Sequence, residues 1–372
     1  MNESPQTTGL AALGWDPGWA TAFLPFDAAG WRPARVVAAH RDAWVVATPD
    51  GDRDAVIAGR LRHESVGAGD MPAVGDWVAA AGLGTPGTVV IQAVLPRRTA
   101  FGRNTSVDGY AGNQAGEQVL AANVDVALVV TSLDGDFNLR RLERYLAVAW
   151  TGGATPVIVL NKADVADDPE GLRVAAEAVA PGVEVRTVSA LTGHGIAELA
   201  DEHLLSGRTA VVLGSSGVGK STLVNALVGH DRQRTSAVRD DDSRGRHTTT
   251  HRELVRLPAG ALLIDTPGIR SLGVAGATDG LEATFADIAE LADGCRFGDC
   301  RHDGEPGCNV QAALADGRLD PARLASHRKL EREAAHVARA SDPIARAAER
   351  RRWKAISSSV AVHMRHKYGS DQ

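Results

Sequence analysis

The segment Gly214-Ser215-Ser216-Gly217-Val218-Gly219-Lys220-Ser221 matches G-x-x-x-x-G-K-[ST] in full. An apolar strand, Ala210–Leu213, precedes it, and Thr222 onward reads as a helix. Glycines let the backbone wrap closely around phosphate oxygens, and the helix N-terminus adds positive potential. Lys220 is placed to reach the β- and γ-phosphates, and Ser221 to hold Mg²⁺. Further along, Leu262-Leu263-Ile264 ends in Asp265-Thr266-Pro267-Gly268. An aspartate at such an edge can hold Mg²⁺ through water, and Gly268 lets a backbone N–H approach the γ-phosphate.

Asn161-Lys162-Ala163-Asp164 follows the apolar run Val157–Leu160. The Asp164 carboxylate can accept from both N1–H and the exocyclic amine of guanine, a donor pair that adenine lacks. The Lys162 stem covers the base, and Asn161 ties the motif to the phosphate loop. Ser189-Ala190-Leu191 follows the next strand, where the backbone N–H of Ala190 can meet guanine O6. Base recognition here precedes the phosphate loop, the reverse of the usual order, so the domain reads as circularly permuted. Chain termini often lie close together, which makes such a cut structurally tolerable.

Between the phosphate loop and Asp265 lies Gly245-Arg246-His247-Thr248-Thr249-Thr250. One of the three threonines should complete the Mg²⁺ shell, with Thr249 preferred. After Gly268 many GTPases carry a glutamine that orients water; here the residue is Ile269. His247 is the nearest candidate replacement, against the alternative of a structural or solvent-facing histidine. Slow hydrolysis by the isolated protein, accelerated by a partner, is the expectation. Cys295, Cys300, His302 and Cys308 form a Cys₃His set within 14 residues that includes all three cysteines of the chain. That set suits one structural zinc ion with no ligand position left open.

These residues need elements to hold them. The chain has 372 residues, 44% of them hydrophobic and 23% charged, which allows two or three domains. Residues 1–30 read as a partly ordered extension without assignable chemistry. Residues 31–101 carry short β-rich runs such as Ala43–Thr48 and Val89–Leu95, which suggest a small barrel of the oligonucleotide-binding (OB-fold) type. Arg97, Arg98 and Arg103, after its last strand, could meet phosphate or simply be solvated. Residues 102–276 alternate apolar strands with helices such as Leu139–Thr151 and Pro169–Ala180, as expected of a largely parallel α/β sheet. Residues 277–372 read as a mainly helical zinc-binding domain with a basic tail. From position 321 onward twelve Lys and Arg face five Asp and Glu, in a chain of formal net charge −6. No apolar run reaches membrane-spanning length and no signal peptide is visible, so a cytoplasmic protein without membrane association is expected.

Barrel, permuted P-loop domain and Cys₃His segment together resemble the ribosome small-subunit-dependent GTPase A (RsgA) family. The carrying residues are Pro72–Trp77, Asn161–Asp164, Gly214–Thr222, Gly245–Thr250, Asp265–Gly268 and the 295–308 cluster. The resemblance covers residues 31–372. It implies a monomeric GTP/GDP-binding factor, with Mg²⁺ and one zinc, acting late in small-subunit assembly. It further implies hydrolysis stimulated by the subunit and coupled to release, rRNA contacts by barrel and zinc domain, and a catalytic part for His247.

Overall fold

The structure, a computed structural model, describes residues 9–40, 42–65, 67–105, 116–229, 252–265 and 278–341. The chain opens with helix α1 (Pro17–Asp27), whose start is fixed by Asp16 accepting from the Trp19 backbone N–H and by proline at the first helical position. The segment expected to be a partly ordered extension is packed from residue 9 on. Leu10, Leu13, Trp19 and Phe23 are buried, and Trp15 meets Trp77 edge-on at 4.7 Å. Four aromatics at positions 15, 19, 23 and 26 recur at helical spacing and put one apolar stripe onto the body of the protein.

Strands β1 (Arg32–Ala39), β2 (Trp44–Thr48), β3 (Gly51–Ile57), β4 (Trp77–Ala81) and β5 (Val89–Val94) follow, with helix α2 (Gly59–Glu64) between β3 and β4. They pair in the order β1-β2-β3-β5-β4, and β4 returns to β1, which closes a five-stranded barrel. The pairing β3–β5 is parallel and the others antiparallel, the closure expected of the OB type.

A hairpin, β6 (Ala100–Thr105) and β7 (Gly116–Ala122), then leads into the α/β layer. That layer contains β8 (Val126–Ser132), α3 (Leu139–Thr151), β9 (Thr155–Asn161), α4 (Pro169–Ala178), β10 (Glu184–Thr187) and α5 (Ile196–His203). It continues with β11 (Thr209–Gly214), α6 (Lys220–Val228), β12 (Arg252–Arg256) and β13 (Leu262–Asp265). The sheet order is β10-β9-β8-β11-β13-β12, parallel except for β12 at the edge. Val126–Val130 is buried without interruption, as a strand covered on both faces requires. Helix α3 begins on Asn138, whose side chain accepts from the Arg141 N–H, and buries Leu142, Leu146 and Ala149.

The barrel and the α/β sheet are one hydrogen-bonded surface. Edge strand β12 pairs antiparallel with β1, Ala38 opposite Glu253 and Ala39 opposite Arg252, making eleven continuous strands. Arg35, from β1, is buried where the parts meet. It donates to the carbonyls of Leu13, Gly75 (3.2 Å) and Asn123 (3.2 Å) and to the Thr209 hydroxyl (2.8 Å). Burial pulls this guanidinium down to about 10, still far above neutral pH.

The last described part comprises α7 (Thr278–Thr284), α8 (Ala286–Asp293), α9 (Asn309–Ala315) and α10 (Pro321–Ser341). Its small core includes Phe285, Ile288, Cys308, Val310 and Leu324. It docks on α3 through Gly280, where an added Cβ would lie 2.2 Å from the Thr151 hydroxyl. Buried Arg323 clasps Asp287 with two bonds of 2.6 Å and reaches Glu143 of α3 at 3.0 Å. No helix among the described residues is long and apolar enough to cross a membrane.

Candidate functional site

Strands β8, β9, β10, β11 and β13 run parallel, so their carboxyl ends open on one edge of the sheet, the usual ligand-binding edge of such folds. The phosphate loop leaves β11 at Gly214 and enters α6 at Lys220. Gly214 has φ +147° and Gly219 φ +89°. A Cβ on Gly214 would lie 2.3 Å from the Val130 carbonyl, and one on Gly219 the same 2.3 Å from the Asn161 amide nitrogen. Both glycines are therefore required by close approach of the neighbouring strands as well as by backbone conformation.

Asn161 is the knot of the site. It is buried, its amide donates to the Val218 carbonyl at 2.9 Å, and its side-chain oxygen accepts from the Ala190 N–H at 3.0 Å. One side chain thus ties the Asn161–Asp164 segment to the phosphate loop and to the Ser189-Ala190 loop. The sequence order of these segments is irrelevant to the knot. Lys162 sits in the left-handed region (φ 65°), which turns its stem across the strand end. The Ser189 hydroxyl hydrogen-bonds the Asp164 carboxylate and orients it, while Asp164 itself is exposed. Lys220 folds over the loop onto the Ser215 carbonyl. Ser221 and Thr222 lie in the first turn of α6, and Asp265 ends β13 beside the phosphate-loop strand.

Two side chains not singled out from the sequence complete this edge. Asp134, just past β8, accepts from Lys162 at 2.7 Å and from the Ser132 hydroxyl at 2.8 Å. Burial alone would raise the Asp134 carboxyl, but these hydrogen bonds outweigh it and hold it at about 2. Arg141, in the first turn of α3, donates to the Ser215 hydroxyl of the phosphate loop at 3.0 Å and is held by Asp136. No motif marks either residue; their relevance comes from β8 lying next to β11.

His247, the threonines 248–250 including Thr249, and Gly268 lie outside the described residues, as does the tail from 342. Of the arginines expected to meet phosphate or solvent, Arg97 grips buried Asp76 with two bonds of 2.8 and 2.7 Å. Arg98 pairs with Asp16 and stacks 4.1 Å above the Trp19 ring, and Arg103 donates to Gln118. All three side chains are engaged within the chain.

The Cys₃His set converges. His302 Nδ1 lies 3.6 Å from Cys295 Sγ and 3.4 Å from Cys308 Sγ, the two sulfurs are 3.9 Å apart, and all four ligand atoms, Cys300 included, fall within 4.8 Å of one another. Ligands about 2.0–2.3 Å from a central tetrahedral ion stand at such separations, so the donor set fits zinc. His302 adopts φ 62° and its carbonyl accepts from Gln311 and, at 2.7 Å, from Arg328, which fixes the loop that aims the imidazole.

A parallel P-loop sheet in which the Asn161–Asp164 and Ser189-Ala190 strand ends precede the phosphate loop in sequence has the segment order of a circularly permuted GTPase. A family model described as RsgA GTPase matches residues 94–275. A small ribosomal subunit biogenesis GTPase RsgA of Opitutus terrae is 50% identical over 356 residues, 93% of this chain and 95% of that protein. Its counterpart in Streptomyces coelicolor is 46% identical over 365 residues, 97% and 96% of the respective chains. The crystal structure of YjeQ from Thermotoga maritima superposes with a TM-score of 0.60 at 26% identity, covering 82% of this chain and 99% of that one. YloQ, described as a circularly permuted GTPase, shares the fold with a TM-score of 0.55 at 23% identity. The chain belongs to the RsgA GTPase family. It is a GTP phosphohydrolase, and GTP enters such sites with Mg²⁺.

Proposed function

We propose that this GTPase acts on the small ribosomal subunit late in its assembly, that the subunit stimulates hydrolysis, and that hydrolysis drives release. The observation that carries the reading is the Asn161 knot, which joins the Asn161–Asp164 and Ser189-Ala190 segments to the phosphate loop, in a chain 50% identical to a small-subunit biogenesis GTPase. In this reading Asp164 reads guanine N1–H and amine, Ala190 meets O6, and Lys162 covers the base, held from behind by Asp134. Gly214 through Gly219 present backbone N–H groups to the phosphates, and Lys220 neutralises the β/γ oxygens. Ser221 and Thr249 would hold Mg²⁺, with Asp265 behind a water; the ion supplies charge neutralisation at the phosphates. Gly268 approaches the γ-phosphate, and His247 orients water in place of the missing glutamine.

The zinc ion is structural, held by Cys295, Cys300, His302 and Cys308. The barrel and the zinc domain with its basic tail contact rRNA, and the protein works as a cytoplasmic monomer. Purified small subunits added to the GTP-loaded protein test this directly. The expected result is phosphate release accelerated well above the basal rate. An unchanged rate would refute the ribosomal reading while leaving the nucleotide site intact.

A further inference from the structure

Helices α3 and α10 leave a cleft of about 470 Å³ between them, within the size range of ligand clefts. Arg140, Arg141 and Arg144 line it from α3, and Ala322, Ser326 and Lys329 from α10. On α10 these positions are three, four or seven residues apart, and on α3 Arg144 lies three and four residues beyond Arg141 and Arg140, so each helix turns one broad face to the cleft. The lining is cationic and holds no aromatic anchor of the kind that dominates protein–protein contacts. Guanidinium forks are the groups best matched to phosphate oxygens.

Three of the four cations already have carboxylate partners. Arg140 meets Asp320, Arg141 meets Asp136 and Arg144 meets Glu333, at 2.6–2.7 Å. The carboxylates are 55%, 48% and 33% exposed, and pairs so open to water contribute little. They leave Arg141 and Arg144 uncommitted, whereas Arg140 is also bonded to the buried Glu143 carboxylate and frames the cleft. Lys329 is exposed and has no carboxylate partner among the described residues. The cleft also touches the nucleotide site, because Arg141 donates to Ser215 of the phosphate loop at 3.0 Å.

We propose that the cleft between α3 and α10 binds the phosphate backbone of small-subunit RNA, and that Arg141 transmits its occupancy to the phosphate loop. The proposal rests on the ribosomal function proposed above and assigns the contact through which the subunit stimulates hydrolysis. A phosphodiester entering between Lys329 and Arg144 draws on Arg141 as well. The guanidinium then redistributes its bonds among RNA, Asp136 and Ser215, and the phosphate loop changes with it.

The test uses the full chain loaded with a non-hydrolysable GTP analogue, its affinity measured for purified small subunits and for their protein-free RNA across a KCl series. Turnover of GTP is measured in parallel with and without subunits. Lys329→Glu should weaken binding to subunits and to RNA by roughly tenfold and lower the salt slope by about one. It should also remove much of the stimulated turnover, with basal turnover and Tm unchanged. Lys329→Arg should keep wild-type behaviour. If Lys329→Glu is stimulated and binds like wild type, the cleft is not the contact, although the ribosomal function stands. Weaker binding to subunits with unchanged RNA affinity would assign the cleft to a ribosomal protein and overturn the proposal. A wild-type protein that neither binds nor responds to subunits would sink the ribosomal function and this inference together.

Discussion

At Asn161 one carboxamide satisfies two buried backbone groups, the Val218 carbonyl and the Ala190 N–H, a pairing that needs a donor and an acceptor on one side chain of this length. Asn161→Asp keeps the acceptor but loses the donor, and turns a carboxylate toward a carbonyl. Each buried group left unpaired costs about 1–3 kcal/mol. Asn161→Asp should therefore weaken GTP by at least about tenfold and lower Tm, checked by titration with a fluorescent GTP analogue and by thermal unfolding. In the proposed site Asp164→Asn replaces one of the two carboxylate oxygens facing guanine N1–H and amine with an NH₂ donor and removes the charge, at a side chain that is exposed. GTP affinity should fall by more than about tenfold with Tm unchanged, the loss of charge-assisted hydrogen bonds. Equal GTP affinity would remove Asp164 from base reading. These residues are legible in the sequence because their chemistry is local and their motifs have fixed spacing. Asp134 and Arg141 are not, because nothing in their own segment announces that β8 will lie against the phosphate-loop strand.

Regular elements with strong period were legible nearly to the residue. Helix 139–151 matches its expected span, and the buried strands at 155–161 and 209–214 are marked by unbroken apolar runs. Three features were hidden. The hairpin β6–β7 has no alternating pattern to declare it. The seam between β1 and β12 joins strands more than 200 residues apart, and edge pairing of that kind leaves no local signature. Helix α1 was concealed by the Gly, Pro and Ala content of its surroundings. Its Asp16 is more than a cap. It accepts from the Trp19 N–H and from Arg98, whose stacking on Trp19 closes a ring of three side chains. The hydrogen bonds from Arg98 hold the Asp16 carboxyl at about 2, below its usual 3.8. A depressed folded-state value means that the contribution is complete above about pH 4 and disappears as pH falls through about 2. Both side chains are more than a third exposed, so the pair itself adds at most about 1 kcal/mol after screening. Asp16→Ala, which also removes the cap, should destabilise the protein by about 1–2 kcal/mol at neutral pH. The difference from wild type should shrink toward pH 2, read by tryptophan fluorescence in urea. A difference constant with pH would mean that the ion pair contributes nothing.

At the scale of the whole molecule, the nucleotide edge is gripped from two sides. The barrel is hydrogen-bonded to β12, the strand antiparallel to the one ending in Asp265, and the C-terminal helices dock on α3, whose first turn reaches the phosphate loop. The two grips differ in what sustains them. The barrel joins a continuous sheet and one large shared core. The C-terminal part has a core of its own in which Cys308, Cys295 and Cys300 are themselves packing residues beside Phe285, Val310 and Leu324. A core that small would gain from a metal staple at its Cys₃His set, since binding energy at such a site is also folding energy. Chelation should accordingly loosen residues 278–341 and leave the barrel and the α/β sheet folded. The contacts at risk are Arg323 to Glu143 and Arg144 to Glu333, which cross from α10 to α3. Metal analysis of protein purified without chelator should give about one equivalent of zinc, set by the single Cys₃His set. After chelation, amide exchange should accelerate in α8, α9 and α10, spread to the exposed side of α3, and spare β8, β9 and β11. GTP-analogue affinity should change only modestly, because Asn161 ends β9, Asp164 follows it and Lys220 opens α6, and none of them stands on α3. Uniform loss of protection across the sheet would instead make the metal a staple of the whole molecule, and no loss anywhere would show that the C-terminal core holds without it.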